Sequence, residues 1–228
     1  MPFLGVLAGC WVAQAIGVGI AFATFKFGAY NEKITVAAES FWTFAAFSVV
    51  AFTIRFVNFY PMVYKERVMK GALREEIGAN MRSNPFIYKS VSASKDTVLF
   101  DNDGAIGMYN RANRSLTHMI ENFGSMLAGL MLAGSVFPFP TFVCACAFGV
   151  GRVMHQVGYS GGYGKHGAGF MVATVGALTL EGLILLVVFA GLGLVAVPEA
   201  APTVEARMAA LEAALNKVSM AVKTDGAA

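Results

Sequence analysis

YNRANRSLTHMIENFGSML (residues 109–127) puts charged side chains into an apolar run that continues to residue 137. Asn110, Arg114, His118, Glu121 and Ser125 are separated by four, four, three and four positions, so a helix gathers them on one face. Arg, His or Glu inside a membrane-spanning helix costs a few kcal/mol, so that face must meet other helices or a water-filled pocket. FPFP at residues 137–140 makes a tight turn into a second run at residues 141–160. There GRVMHQVGY (residues 151–159) places Arg152, His155 and Tyr159 three and four apart, again on one face. The two arms form a hairpin whose polar faces converge at membrane depth.

The rest of the chain fits an integral membrane bundle. Of 228 residues, 57% are hydrophobic and only 14% charged, against about 25% charged in a soluble domain. Five apolar runs approach the roughly 20 residues needed to cross a bilayer. They cover residues 3–25, 41–60, 109–137, 141–160 and 170–197. The first carries no charge and no preceding basic segment, which argues for a retained N-terminal helix within residues 1–30. Its Gly5, Gly9, Ala13, Gly17 and Ala21 form a small-residue stripe that lets another helix approach, unless the spacing is that of an Ala/Gly-rich span and nothing more. The polar loop of residues 62–108 carries Lys65, Arg67, Lys70, Arg74, Arg82, Lys89 and Lys95, which sets it on the cytoplasmic or equivalent side. Within it KERVMKGALREEI reads as a short interfacial helix, and SNP and DNDG as turns. The membrane domain spans residues 41–197. In the tail, residues 198–228, Val204, Met208, Leu211, Leu215, Val218 and Val222 form a heptad seam, for self-association or for lying on the membrane surface.

Several function classes are disfavoured. A net charge of +3, with the basic residues gathered in one loop, gives no nucleic-acid-binding face. Cys10, Cys144 and Cys146 lie inside apolar runs without His or Cys at ligand spacing, so no metal site is expected. The glycine-rich link at residues 161–169 lacks the strand and spacing of a phosphate cradle and reads as an interhelical turn. For the buried charges two readings stand. Arg114 with Glu121, and Arg152 with Glu181 of the fifth run, are either ion pairs that fix helix register or parts of a site for a charged ligand. Arg55 snorkels or pairs across the bundle.

At these residues the chain resembles the membrane-associated proteins in eicosanoid and glutathione metabolism, the MAPEG family, over roughly residues 41–195. Members carry Arg-Ala-x-x-Asn-x-x-Glu in one helix, and here Arg114-Ser115-Leu116-Thr117-His118-Met119-Ile120-Glu121 has that spacing. They carry Arg-x-x-His/Tyr-x-x-x-Tyr in the next, and Arg152, His155 and Tyr159 match it. The second motif looks especially close to the microsomal glutathione transferase and prostaglandin E synthase branches.

The resemblance implies an all-α four-helix membrane protomer, extended here by the N-terminal transmembrane helix and the amphipathic tail. It also implies a homotrimer with glutathione bound between subunits as co-substrate. Arg114, His118, Glu121, Arg152, His155 and Tyr159 would hold glutathione, with Arg152 or Tyr159 as the catalytic group beside the thiolate. Arg67 is a further basic residue the resemblance brings near that site. Glutathione's two carboxylates suit arginines, its ammonium suits Glu121, and its thiol needs ionising because a free thiol is mostly protonated near neutrality. Membrane lipid is the other expected partner, and the family suggests the endoplasmic reticulum or another organelle membrane. Three departures keep a second class open. His118 stands where the motif has Asn, the link after Tyr159 offers only Lys165 and His166 where relatives place an arginine, and the first run and tail are additions. The expected activity is therefore that of a glutathione transferase or peroxidase acting on lipophilic electrophiles or lipid hydroperoxides. The alternative is a non-catalytic lipid-binding or structural subunit of a larger membrane complex.

Overall fold

The computed structural model describes residues 3–69, 86–91, 97–196, 208–209 and 211–213. The chain divides into a unit up to Val187 and a second unit from Val188 onward. In chain order the elements are α1 (Phe3–Phe27), α2 (Asn31–Ala38), α3 (Phe41–Phe59), α4 (Met62–Met69), β1 (Tyr88–Ser90), β2 (Val98–Phe100), α5 (Gly104–Val136), α6 (Pro138–Gly161) and α7 (Gly167–Gly191). The heptad tail lies outside the described residues, except that 208–209 and 211–213 are helical. Most of the expected interfacial helix lies outside them too, although its first residues belong to α4.

Among the described residues four segments are long and apolar enough to span a membrane: Phe3–Phe27, Phe41–Val68, Gly104–Val136 and Gly167–Gly191. The protein is thus a multi-pass integral membrane protein. The sequence predicts five spans, and α6 is the one that differs. Its 24 residues reach about 36 Å, but its composition is too polar to qualify on its own. The polar residues responsible, Thr141, Arg152, His155, Gln156 and Ser160, are buried against other helices. A helix that turns its polar face inward can reside in a bundle without an apolar composition all round.

α3 buries Ala46, Val50, Thr53 and Val57, a single face at helical spacing. Ala46 and Val50 of that face join Met126, Leu130 and Ala133 of α5, Cys144, Ala145 and Phe148 of α6, and Ala173 and Leu180 of α7 in one core. Glycines set how closely the helices approach. A Cβ on Gly151 would stand 2.2 Å from the backbone nitrogen of Ala173, and one on Gly169 would stand 2.3 Å from that of His155. α6 and α7 therefore touch backbone to backbone, beside the residues singled out in the sequence. At the FPFP turn Pro138 occupies the first turn of α6, where its missing N–H leaves no orphan donor.

The polar loop contributes an antiparallel hairpin, Tyr88 opposite Phe100, that no sequence signal announced. Asn110 holds it in place. Its side-chain amide donates to the carbonyls of Ile87 at 2.6 Å and Asp101 at 2.8 Å, and its oxygen accepts from the Ile87 N–H at 2.9 Å. Asn110 thus belongs to the fold and stands apart from the ligand face on which its spacing put it. Lys89 pairs with Asp101 and Asp103, and the hydrogen bond to Asp103 lifts its ammonium above the ordinary lysine range.

α1 is packed differently from every other spanning helix. None of its residues is buried. It touches α3 through Phe3, whose ring meets Phe56 and Tyr60 at 5.6 Å each, and through Trp11 against Phe52 at 5.5 Å. A Cβ on Gly9 or Gly17 would meet nothing within 4 Å, so no described helix approaches the small-residue stripe at those positions.

The glycine contact gives a direct test of the packing. Gly151→Val should destabilise the protein by about 3 kcal/mol, because the obstacle is backbone and cannot rotate away. Gly161→Ala, where a Cβ meets nothing, should stay within about 1 kcal/mol. Thermal unfolding in detergent, followed by circular dichroism, reads the difference.

Candidate functional site

The α5–α6 hairpin brings its two polar faces together around Arg152. This guanidinium is only 3% exposed, yet its described partners are neutral. Nη2 donates to the Ser115 carbonyl at 2.8 Å, and Nη1 lies 3.1 Å from Nδ1 of His118. A guanidinium can only donate, so His118 accepts through Nδ1 and carries its proton on Nε2. The Nε of Arg152 is buried and has no hydrogen-bond partner among the described residues. No Asp or Glu is buried among the described residues, so this cation has no internal counter-ion there.

Beside Arg152, the Ser115 hydroxyl lies 2.9 Å from Nδ1 of His155. The His155 ring stacks on Tyr159 at 5.5 Å and on His118 at 5.8 Å. His166, from the glycine-rich link, sets its ring edge-on to His155 at 5.6 Å and to Tyr159 at 5.0 Å. Arg114, Ser115, His118, His155, Tyr159, His166 and Phe170 enclose a cleft of about 220 Å³. It is a polar, aromatic-walled recess with one arginine at its rim and a second arginine behind His118.

This cleft adjoins a larger cavity of about 480 Å³ between α5 and α7, and His118 and Phe170 line both. Arg152 and Glu181 also line the larger cavity, whose remaining walls are mostly apolar, among them Met126, Leu132 and Ile184. The arrangement can hold an anionic, hydrogen-bonding molecule in the small recess and an apolar chain in the large one, with their reactive ends meeting at His118 and Phe170.

Of the residues the sequence put forward, Arg114, His118, His155 and Tyr159 share the cleft, and Arg152 stands directly behind it. Glu121 lies outside its lining. It is bonded to Arg114 at 2.9 Å, with both side chains about half exposed. The alternative pairing of Arg152 with Glu181 is not formed among the described residues. Arg67 projects over the Tyr64 ring at 5.6 Å, away from the cleft lining, and Arg55 bonds its own helix at Ala51 and faces a groove beside α1. Lys165 is exposed and does not line the cleft.

The sequence puts forward none of Ser115, Phe170 and Arg111 as a site residue, and offers His166 only as a weak stand-in for the arginine that relatives place after the tyrosine. Arg111 is the buried arginine of α5, 7% exposed, and it ties the end of α6 to the loop before α5. It donates to the Ser160 carbonyl at 3.3 Å and to the Asn102 carbonyl at 3.0 Å, and it lies over the Tyr163 ring at 5.6 Å. A signal for it was present. The motif begins Arg-Ala, and that dipeptide occurs at Arg111–Ala112. Read from there, its Asn position falls on Ser115 and its Glu position on His118, which are the two α5 residues that contact Arg152. The phase three residues later, from Arg114, has the same spacing and ends on the exposed Arg114–Glu121 pair.

The model of the MAPEG family matches residues 44–189, from α3 through most of α7, leaving α1 outside. No curated protein and no solved structure matches the chain.

The two phases predict different stabilities for the two arginines. Arg111→Ala leaves two carbonyls unpaired and opens a cavity, and should cost about 2–4 kcal/mol. Arg114→Ala removes one partner of a half-exposed pair and should cost less than about 1 kcal/mol. Equal losses in a thermal unfolding comparison would contradict the structural assignment of Arg111.

Proposed function

The chain belongs to the MAPEG family of membrane-associated proteins in eicosanoid and glutathione metabolism, and on that footing we propose that it is a glutathione-dependent transferase or peroxidase acting on lipophilic electrophiles or lipid hydroperoxides. The observation that carries this reading is the polar cleft adjoining an apolar cavity through His118 and Phe170, with a buried cation that lacks a counter-ion among the described residues. Glutathione would occupy the cleft. Arg114 at the rim suits one of its carboxylates, Glu121 beside Arg114 suits the ammonium, and His155 and Tyr159 offer hydrogen bonds. Arg152, through His118 or directly through its free Nε, would favour the thiolate over the thiol by supplying positive charge where little water screens it. Tyr159 is the alternative donor to the sulfur.

The chemistry then balances simply. In conjugation with an unsaturated aldehyde or ketone, sulfur forms a bond to the β-carbon, and the α-carbon takes up a proton equivalent to the one the thiol released. In peroxide reduction sulfur takes the distal oxygen as the O–O bond breaks, and the alkoxide leaves as alcohol with a proton. A second glutathione converts the resulting sulfenic acid to disulfide and water. A homotrimer, with glutathione between neighbouring copies, is part of the proposal. It is supported by the half-exposed Arg114 and Glu121 of spanning α5, since charged groups at that depth need protein or water against them.

One observation favours a second reading. α1 buries no residue and falls outside the family match, so it offers a large free surface to another membrane protein. A non-catalytic lipid-binding or structural subunit would use it so, and the lack of an arginine in the link after Tyr159 agrees with that.

Calorimetric titration with millimolar glutathione in nanodiscs tests the leading reading. The wild type should bind saturably, and Arg152→Met should weaken binding about tenfold or more, from the loss of a charge-assisted contact in a buried setting. An Arg152→Met protein that keeps its fold and binds as tightly as wild type would remove Arg152 from the site, and a wild type without binding would favour the second reading.

A further inference from the structure

The cavity between α5 and α7 extends from His118 and Phe170 at one end to Leu132 and Ile184 at the other. Both helices run the same way along it. Fourteen residues on each give it a length of about 21 Å. At the near end it meets the polar cleft, and toward the far end a Cβ on Gly129 would touch Leu180 at 3.0 Å, so the two helices close together there. A slot this long and narrow fits a single extended chain better than a bulky ring system.

Glu181 breaks its apolar character. It stands eleven residues beyond Phe170 on α7, in a segment that spans the membrane, is exposed on the protein surface, and lines the cavity. No cation lies within ion-pair reach among the described residues. The polar neighbours on α5 are occupied within their own helix: Asn122 donates to the His118 carbonyl at 2.8 Å and Ser125 to the Asn122 carbonyl at 3.1 Å. A carboxylate left facing hydrocarbon is costly, and a donor brought to it at low dielectric forms a strong hydrogen bond.

We propose that the α5–α7 cavity binds a single-chain lipid bearing a hydroxyl or other hydrogen-bond donor along its chain, and that Glu181 is the residue that selects it. The donor would lie about 16 Å from the end at Phe170, a span of about a dozen carbons. The assignment of the reactive end to the His118–Phe170 side rests on reading the cleft as the glutathione site. The selection by Glu181 does not. Lipids whose carboxylate reaches that depth are disfavoured by repulsion, and plain alkyl chains leave the acid unsatisfied.

Methyl laurate and its 12-hydroxy derivative, of which only the second carries a hydrogen-bond donor, test this without glutathione. Each competes with a diazirine-bearing fatty methyl ester photolabel on the full chain in nanodiscs, with partitioning into protein-free nanodiscs subtracted. The label should fall on α5 and α7, and the hydroxy ester should displace it about tenfold more effectively than the plain ester, as a charge-assisted hydrogen bond warrants. Glu181→Leu should erase the preference, and Glu181→Gln, which keeps an acceptor without the charge, should reduce it to a few-fold. Equal displacement by both esters in the wild type would overturn the proposal. So would a preference that survives in Glu181→Leu, or a label absent from α5 and α7 while Leu132→Cys and Leu178→Cys cross-link between copies, which would place a second copy in the slot. Loss of glutathione binding with the hydroxy-ester preference intact would overturn only the function proposed above.

Discussion

The Arg152 guanidinium is a fixed positive charge inside a membrane bundle, and its described hydrogen bonds go to neutral acceptors, the Ser115 carbonyl and His118 Nδ1. Much of the surrounding structure follows from holding it there. α6 is too polar to span lipid unaided and must turn Arg152, His155 and Gln156 toward α5, where Gln156 donates to the Ala112 carbonyl at 3.0 Å. α7 must come close enough to wall the site, which the glycine contacts at Gly151 and Gly169 permit. His118, standing at the motif's acidic position when the motif is read from Arg111, supplies a lone pair and no negative charge. Under the function proposed above, a bound ligand would complete the charge balance.

That imbalance gives the two neighbouring hollows complementary roles. The smaller is walled by rings that can stack and donate, and suits a polar, anionic peptide. The larger is a mostly apolar slot whose one acidic group, Glu181, forms no ion pair with Arg152 among the described residues. A water-soluble thiol and a lipid could thus meet at His118 and Phe170 without either leaving its own solvent. A family of membrane proteins concerned with glutathione and eicosanoids is the setting in which such a junction makes chemical sense.

The fold was largely legible because lipid imposes simple rules. Run length, the basic loop and the FPFP turn give the helices and the α5–α6 hairpin. The hairpin β1–β2 was not legible, since its pairing depends on Asn110, whose helical spacing put it on the ligand face while its side chain reaches back to Ile87 and Asp101. Helical periodicity also could not choose between the two motif phases. Arg111 and Arg114 lie within one turn, and only the neighbouring α6 and the loop at Asn102 decide which is buried. His166 was noticed as a weak substitute for arginine, yet its place against His155 and Tyr159 comes from the turn after α6, where Gly162 and Gly164 adopt positive φ angles of 156° and 87°. Link geometry of that kind leaves no periodic trace.

In the function proposed above, a buried arginine without an acidic partner among the described residues ionises the thiol of a bound peptide. An ultraviolet difference spectrum of glutathione titrated onto the purified assembly near neutral pH reads that ionisation. A saturable thiolate absorbance is expected, lost in Arg152→Met and kept in Glu181→Leu. Saturable binding with no thiolate band, or an undiminished band in Arg152→Met, would remove Arg152 from this role.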